Sequence, residues 1–263
     1  MKRREFLSTS LATTALAALS PLAAKGAQPA ASSRELYELR LYRLKEGSGA
    51  DGLGEYLAKA AIPAWNRLGS RPIGVFTDKE QKEPGLFVLI PHSSAEAFVA
   101  AAANLERDEE YRAAGAAYLN RPKANPVFER MDSWLLLAFK GMPKLELPAY
   151  SRERRPRLFE LRTYESYSER KAASKVDMFN SGEIDAMHEV GLAPIFFGEG
   201  LSGPGLPHLT YMTSAPDEGA HKEHWDAFGK HPTWDKLKND PKYADTVSKI
   251  NRWILLPTAY SQI

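Results

Sequence analysis

The sequence predicts an α+β fold in which two tandem ferredoxin-like repeats, each of order βαββαβ, join their antiparallel sheets in one barrel. The first observation is a duplication, because Leu36–Tyr42 (LYELRLY) recurs 122 residues later as Leu158–Tyr164 (LFELRTY). The second is that predicted strands and helices follow the same order in both halves. The third is geometric, since a four-stranded sheet with helices on one face leaves its other face for a partner sheet to cover.

The duplication extends well past the first strand, because later segments keep nearly the same spacing. A short insertion or deletion explains the change from 122 to 119 near the ends. The matching segments are Pro72-Ile73 with Pro194-Ile195, Phe87–Pro91 with Leu209–Thr213, and Trp134–Leu137 with Trp253–Leu256.

In the first half, alternation of apolar and polar residues predicts a strand over residues 36–44. Apolar residues at helical spacing predict a helix from 51 to 68, which Pro63 should kink or split. Ser94 is a predicted N-cap of a second helix, and a third covers 108–119. The remaining predicted strands cover residues 72–76, 86–91 and 131–139.

The second half repeats this order. Its predicted strands cover residues 159–164, 193–197, 208–214 and 252–256, and its predicted helices cover 170–190, 219–228, 233–237 and 240–251. Three prolines between the halves indicate a stiff linker. The predicted organisation is a targeting segment at 1–33, a repeat at 34–140, a linker at 141–156 and a repeat at 157–263.

The N-terminus is predicted to direct export. Lys2–Leu7 (KRREFL) resembles a twin-arginine signal, and the apolar residues 11–24 are too few for a stable membrane span. We therefore expect a periplasmic or other extracytoplasmic protein with no stable membrane span after signal removal. A disordered basic tail is the alternative.

Charge and cysteine content exclude several function classes. Residues 1–31 carry four basic residues and one acidic residue, which leaves 31 basic and 32 acidic residues in the rest of the chain. Such a balance provides no basic field for nucleic acid, so none is expected as a partner. The chain has no cysteine, which excludes disulfides, thiolate metal sites and a cysteine nucleophile.

Three motifs resemble the NIPSNAP family. They are Glu38–Tyr42 (ELRLY), Glu160–Tyr164 (ELRTY) and His231–Trp234 (HPTW), the last with Asp108–Tyr111 as its counterpart in the first half. The resemblance covers nearly all of residues 35–263 and implies the dimeric α/β barrel fold, shared with small monooxygenases and haem-binding relatives. It implies no settled reaction and no set of catalytic residues.

The candidate ligand-binding residues alternate along the first strand of each repeat: Glu38, Arg40 and Tyr42, and their copies Glu160, Arg162 and Tyr164. Alternation places each trio on one face of its strand, and we expect that face to line the barrel interior. Two interpretations stay open. The trios either form a Glu–Arg network that fixes the sheets in register, or line a pocket where Arg binds a ligand carboxylate and Glu or Tyr transfers protons.

Histidines are concentrated in the second half and supply further candidates. His188 lies at the edge of a predicted buried helix face and is the candidate acid–base or ligand-binding residue, together with the second trio. His221 and His224 are one helical turn apart and could share a metal, although no metal site is expected. No residue pattern demands haem or another cofactor. The Gly-rich segment 198–205 is either a lid over a pocket or a long hairpin connection.

Two function hypotheses follow. The first is an exported protein that binds a small molecule in a pocket of the second repeat, with a monooxygenase-like oxidoreductase as its enzymatic form. The second is a non-enzymatic binding or scaffolding protein that acts through protein partners. One chain supplies both halves of the barrel, so a monomer suffices to close it, and higher association stays open.

Overall fold

The computed structural model describes residues 34–44 and 51–263, so the predicted targeting segment lies outside the described residues. The strands are β1 (Leu36–Arg43), β2 (Gly74–Asp78), β3 (Gly85–His92), β4 (Arg130–Ala138), β5 (Leu158–Glu165), β6 (Pro194–Ser202), β7 (His208–Ala215) and β8 (Lys249–Pro257). The helices are α1 (Asp51–Tyr56), α2 (Ile62–Arg67), α3 (Ala95–Arg107), α4 (Glu109–Leu119), α5 (Ala149–Arg152), α6 (Glu169–Met178), α7 (Ile184–Glu189), α8 (Glu218–Gly229) and α9 (Pro232–Lys238).

The eight strands close into an antiparallel barrel in the order β1-β3-β2-β8-β5-β7-β6-β4. Within this order each repeat forms the ferredoxin-like sheet, with its first and third strands at the centre. The two sheets join edge to edge twice, at the β2–β8 seam and at the β4–β6 seam. The predicted fold class is therefore confirmed, and one chain closes the barrel.

Apolar side chains from both repeats fill the barrel interior. Phe76 and Phe159 meet across the two sheets with ring centroids 5.0 Å apart, and so do Tyr37 and Phe196. All four side chains are fully buried. Burying each ring stabilises the fold by about 1.5–3 kcal/mol, so this shared core holds the two repeats together.

The polar trios face the surrounding helices, and our expectation that they line the barrel interior was wrong. Tyr37, Leu39 and Leu41 on the opposite face of β1 pack in the interior. Tyr42 instead packs with helical residues such as Tyr56 and Trp65. Alternation divides a strand into two faces without saying which one is enclosed. The closed interior of the barrel offers no water to polar groups, so the apolar face of the strand points into it.

Strand pairing also corrects the alignment of the two repeats, because it shows which residues of β3 and β7 are equivalent. Leu36 on β1 lies opposite His92, and its copy Leu158 lies opposite Ala215. His92 and Ala215 are 123 residues apart, so Phe87 corresponds to Thr210 and not to Leu209. One residue has been gained before β7, and a shift of one residue exchanges the two faces of a strand.

The helix that Pro63 was expected to kink or split is divided by a π-helical turn. Leu57–Ala61 joins α1 to α2 just before this proline, which has no N–H to donate to the preceding turn. The second repeat has a matching π-helical turn at Phe179–Glu183 without a proline. There Gly182 takes a φ of +125°, a backbone conformation that side-chain-bearing residues rarely adopt.

The predicted helix over residues 240–251 was wrong. Only Pro241–Tyr243 form a short 3₁₀ helix, and β8 begins at Lys249. Asp245 takes a φ of +55°, which ends helical geometry, and the β-branched residues that follow favour an extended chain. The connecting segment 141–156 carries α5 and buries Met142 and Ser151. Among the described residues, no helix combines the length and hydropathy needed to cross a bilayer.

Candidate functional site

The first polar trio forms a hydrogen-bonded unit on the outer face of β1. Arg40 donates from Nε to Glu38 Oε1 at 2.6 Å and from Nη1 to the Tyr42 hydroxyl at 3.1 Å. Because the three side chains alternate along one strand, they lie on the same face beneath the helices. The side chains of Glu38 and Arg40 are 9% and 20% exposed, so the charge pair is largely desolvated.

Glu38 also contacts two residues that the sequence did not point to. Ser133 donates from Oγ to Glu38 Oε1 at 3.2 Å, and His92 Nε2 lies 3.5 Å from Oε2. Burial alone would raise the pKa of Glu38, but His92 and Arg40 together lower that pKa to about 2. The His92 separation is longer than a good hydrogen bond, so the 2.6 Å contact with Arg40 is the firmer of the two. Glu38 is therefore an ionised carboxylate.

A cleft of about 540 Å³ opens above this unit, between the sheet and α3. Arg40 and Glu38 form its polar floor, and the walls include Trp65, Phe98 and Tyr111. The Arg40 guanidinium carbon lies 5.4 Å from the centre of the Trp65 ring. The cleft thus combines aromatic walls with one buried charged pair.

Helix α3 covers the cleft only loosely. None of its residues is buried, and Val99 on the cleft side is 75% exposed. Phe98 makes an edge-on contact with His92, with ring centroids 5.3 Å apart. Ser94 caps the helix by accepting a hydrogen bond from Ala97 N at 3.2 Å, as its sequence predicted.

The second repeat builds the same polar unit on β5. Arg162 donates from Nε to Glu160 Oε1 at 2.9 Å and from Nη1 to the Tyr164 hydroxyl at 3.3 Å. The Tyr164 hydroxyl also forms a hydrogen bond of 2.9 Å with the Tyr211 hydroxyl. Glu160 is fully buried, and burial alone would raise its pKa, but His221 and Arg162 lower that pKa. Both glutamates are therefore ionised.

The space above the second unit is filled by side chains of α8. The Trp225 ring centre lies 3.8 Å from the Arg162 guanidinium carbon. His221 Nε2 lies 2.9 Å from Glu160 Oε2 and 3.1 Å from Trp225 Nε1. That nitrogen cannot donate to the carboxylate and accept from the indole together. Because Glu160 is ionised, donation to the carboxylate is the stronger arrangement.

The repeats differ at equivalent positions of α3 and α8. The N-caps Ser94 and Asp217 are 123 residues apart, the same offset as the strand pairing that precedes them. Ala102 therefore corresponds to Trp225, and Phe98 corresponds to His221. The small Ala102 leaves open in the first repeat the volume that Trp225 occupies in the second.

The remaining sequence-predicted histidines lie apart from these units. His188 is exposed on α7, away from the residues that contact Glu160. His224 lies against Gly191, so it does not converge with His221, which faces Glu160. Over residues 34–44 and 51–263, no group of three or more His, Asp or Glu side chains is arranged to hold a metal.

The Gly-rich segment 198–205 is mainly strand. Gly198 and Gly200 belong to β6 and pair with β4, which fixes them in the barrel wall. The short connection beyond is held by Trp134, which donates from Nε1 to the Pro204 carbonyl at 2.9 Å. Of the two interpretations of this segment, the geometry fits the hairpin connection.

A second cleft, of about 520 Å³, lies over the β2–β8 seam beside His221. Its lining is strongly charged, and Lys79 and Glu218 form an ion pair across it. Arg252 Nε lies 3.7 Å from Glu160 Oε1 and its Nη2 lies 3.9 Å from Glu80 Oε1. The charged side chains that line this cleft are thus largely paired with one another.

The second repeat also buries an ion pair beneath α9. Lys175 Nζ lies 2.8 Å from Glu183 Oε2, and both side chains are at most 5% exposed. Burial raises the pKa of Glu183, which the Lys175 charge partly offsets. The Lys175 ammonium also lies 4.6 Å from the Phe179 ring centre and 5.4 Å from that of Trp234.

Comparison with known proteins identifies the family and the fold. The sequence model of the NIPSNAP family matches residues 37–141 and 159–262. No curated protein matches the chain. Proposed monooxygenases from Fusobacterium nucleatum and Lactobacillus acidophilus have TM-scores of 0.56 and 0.57, each with 8% identity and 86% of this chain covered. They are covered over 93% and 94% of their own lengths.

A third similar structure is an anthrone oxidase-like protein. It has a TM-score of 0.51 and 13% identity, with 87% of this chain and 93% of its own chain covered. At these identities the likeness is one of fold.

Proposed function

This chain belongs to the NIPSNAP family, with one domain in each repeat, and we propose that it binds a small molecule in the cleft above Arg40. The observation that carries the proposal is the composition of this cleft. Its volume of about 540 Å³ suits a small ligand, and its aromatic walls surround a buried charged pair. Such pockets bind through apolar contact and orient the ligand through few polar groups.

Arg40 is the group that would orient the ligand. Its Nε and Nη1 atoms donate to Glu38 and Tyr42, and its guanidinium lines the cleft, where it can meet a ligand. A guanidinium is always charged and presents a rigid set of donors. Glu38 and Tyr42 hold the group in place, so little freedom is lost when a ligand binds.

The location differs from the pocket that the sequence suggested in the second repeat. There Trp225 lies over Arg162, so the equivalent volume is occupied. In the part of the chain that the structure describes, the seam cleft beside His221 is another candidate, lined by residues of both repeats. Its paired charges would have to separate before a ligand could bind, which makes it the weaker site.

The enzymatic form of the proposal is an oxidoreductase of the monooxygenase-like kind. The proposed monooxygenases and the anthrone oxidase-like protein of similar fold support this class. In such a reaction Glu38 is a poor proton acceptor, because a carboxylate whose pKa lies near 2 is a weak base.

Native mass spectrometry with elemental analysis tests the proposal on the protein purified from its native compartment. A stoichiometric organic ligand that is retained by the wild type and lost in Arg40→Met is the expected result. Arg252→Met is the matched control at the seam cleft and should keep the ligand. A wild type of bare chain mass that binds no small molecule would instead favour the non-enzymatic, partner-binding alternative.

We also propose export by the twin-arginine route. The support is the sequence of Lys2–Leu7 with the apolar stretch after it, both outside the described residues.

A further inference from the structure

The second repeat shows what can lie over the Glu–Arg–Tyr unit that both repeats share. Trp225 places its ring over the Arg162 guanidinium at 3.8 Å, and Phe228 supports the ring edge-on at 5.7 Å. A guanidinium is planar and weakly hydrated, so an aromatic face is among its best neutral partners. The chain therefore fills this site with its own flat aromatic group.

The first repeat has the same unit and lacks that occupant. Arg40 keeps the contacts of Arg162 to its glutamate and tyrosine. The residue equivalent to Trp225 is Ala102, and the cleft is the volume that this exchange leaves. Trp65 and Phe98 line the open volume, so an aromatic ligand there would meet aromatic side chains as well as the guanidinium.

We propose that the ligand of the first cleft is a small planar aromatic molecule that stacks on Arg40 as Trp225 stacks on Arg162. This inference rests on the proposed function and adds the chemical class of the ligand. A saturated molecule of the same size would fill the volume and bury the same walls. It would lack the attraction between the guanidinium charge and an aromatic face, and this difference can be measured.

The test uses 1-naphthoate and its decahydro counterpart, which share a carbon skeleton and a carboxylate. Binding stoichiometry and affinity are measured by titration calorimetry on the full chain. One naphthoate should bind per chain, about five-fold or more tighter than the saturated acid. Ala102→Trp should abolish this binding by filling the first cleft. Ala100→Trp, at an exposed position of the same helix that does not line the cleft, should leave it unchanged.

Trp225→Ala supplies the reciprocal test. Removing this ring should open the second unit and raise the stoichiometry from one naphthoate per chain to two. If that variant fails to fold by circular dichroism, Ala102→Trp and its control decide the question alone.

The outcomes separate this inference from the proposed function. If both acids bind with equal affinity and Ala102→Trp abolishes the binding of both, the cleft binds small molecules, and the proposal that its ligand is aromatic is overturned. Naphthoate binding that survives Ala102→Trp would overturn the location. Absence of binding for both acids would also overturn the inference, and the native mass measurement then decides the proposed function by itself.

Discussion

Arg162 and Glu160 are joined by two contacts of 2.9 Å, from Nε and from Nη2 to the same carboxylate oxygen. Glu160 is fully buried, so this pair replaces the water that its charge would otherwise need. The equivalent pair in the first repeat, Arg40 with Glu38, keeps its Nε contact at 2.6 Å. The duplicated fold thus retains one buried charge pair per sheet on the face toward the helices.

Removing Glu160 should destabilise the fold strongly. Glu160→Ala leaves the Arg162 guanidinium buried without its partner, which costs about 3–5 kcal/mol of unfolding free energy. Urea unfolding checks this value, with Glu223→Ala on the exposed face of α8 as the control that should change little. A loss below about 1 kcal/mol for Glu160→Ala would mean that water reaches the pair.

Acid should weaken the fold through Glu38, whose pKa falls from an ordinary value of 4.5 to about 2 in the folded chain. A carboxyl group with a lowered pKa stabilises the folded state fully above its unfolded pKa. That contribution is lost as the pH falls through the folded pKa. The difference in unfolding free energy between wild type and Glu38→Gln should therefore shrink from about pH 5 down to about pH 2. A difference that stays constant over this range contradicts the ionised, paired state.

The buried Lys175–Glu183 pair should be replaceable by apolar residues. At the equivalent positions the first repeat has Leu53 and Ala61, both buried. Lys175→Leu alone leaves an unpaired buried carboxylate and should cost about 3–5 kcal/mol. The double variant Lys175→Leu with Glu183→Ala should recover most of that loss. Thermal unfolding of the two single variants and the double variant completes a double-mutant cycle. If the losses of unfolding free energy in the single variants add up to the loss in the double variant, the pairing is refuted.

Export should depend on the arginine pair of the predicted signal. Replacing Arg3 and Arg4 together with lysine keeps the charge and removes the side chains that define the motif. Precursor should accumulate in the cytoplasm, as followed by cell fractionation and immunoblotting, while Lys25→Arg should export normally. A chain that lacks residues 1–31 should still fold, and export that persists in the double variant would disprove the twin-arginine assignment.

The sequence determined the architecture more fully than the site. The positions of most strands and helices and the Ser94 cap could be read locally, because period-two and period-3.6 patterns depend on neighbouring residues. The register between the repeats could not, since it shifts by one residue before β7. Which face of β1 is enclosed in the barrel could not be read from the sequence. Both faces carry large side chains, and only the closure of the barrel decides which of them is enclosed. His92 was missed for a similar reason, because only the pairing of β1 with β3 brings it to Glu38.

The location of the cleft was the least predictable feature. It depends on Ala102 standing where Trp225 stands, and that equivalence needs the offset of 123 seen in the strand pairing. Histidine content favoured the second repeat, although one of those histidines, His221, helps to fill its site. Residue type alone does not distinguish a side chain that lines a cleft from one that occupies it.

A ¹⁵N–¹H spectrum of the tryptophan indole groups, recorded during titration with 1-naphthoate, shows which repeat holds the ligand. The chain has five tryptophans, and single Trp→Phe variants assign their signals. Trp65 lines the first cleft, while Trp225 lies over Arg162 in the second repeat. With the ligand in the first cleft, the Trp65 signal should shift until binding saturates, and the Trp225 signal should stay in place. A shift of Trp225 with Trp65 unmoved would place the ligand in the second repeat and contradict the proposed location.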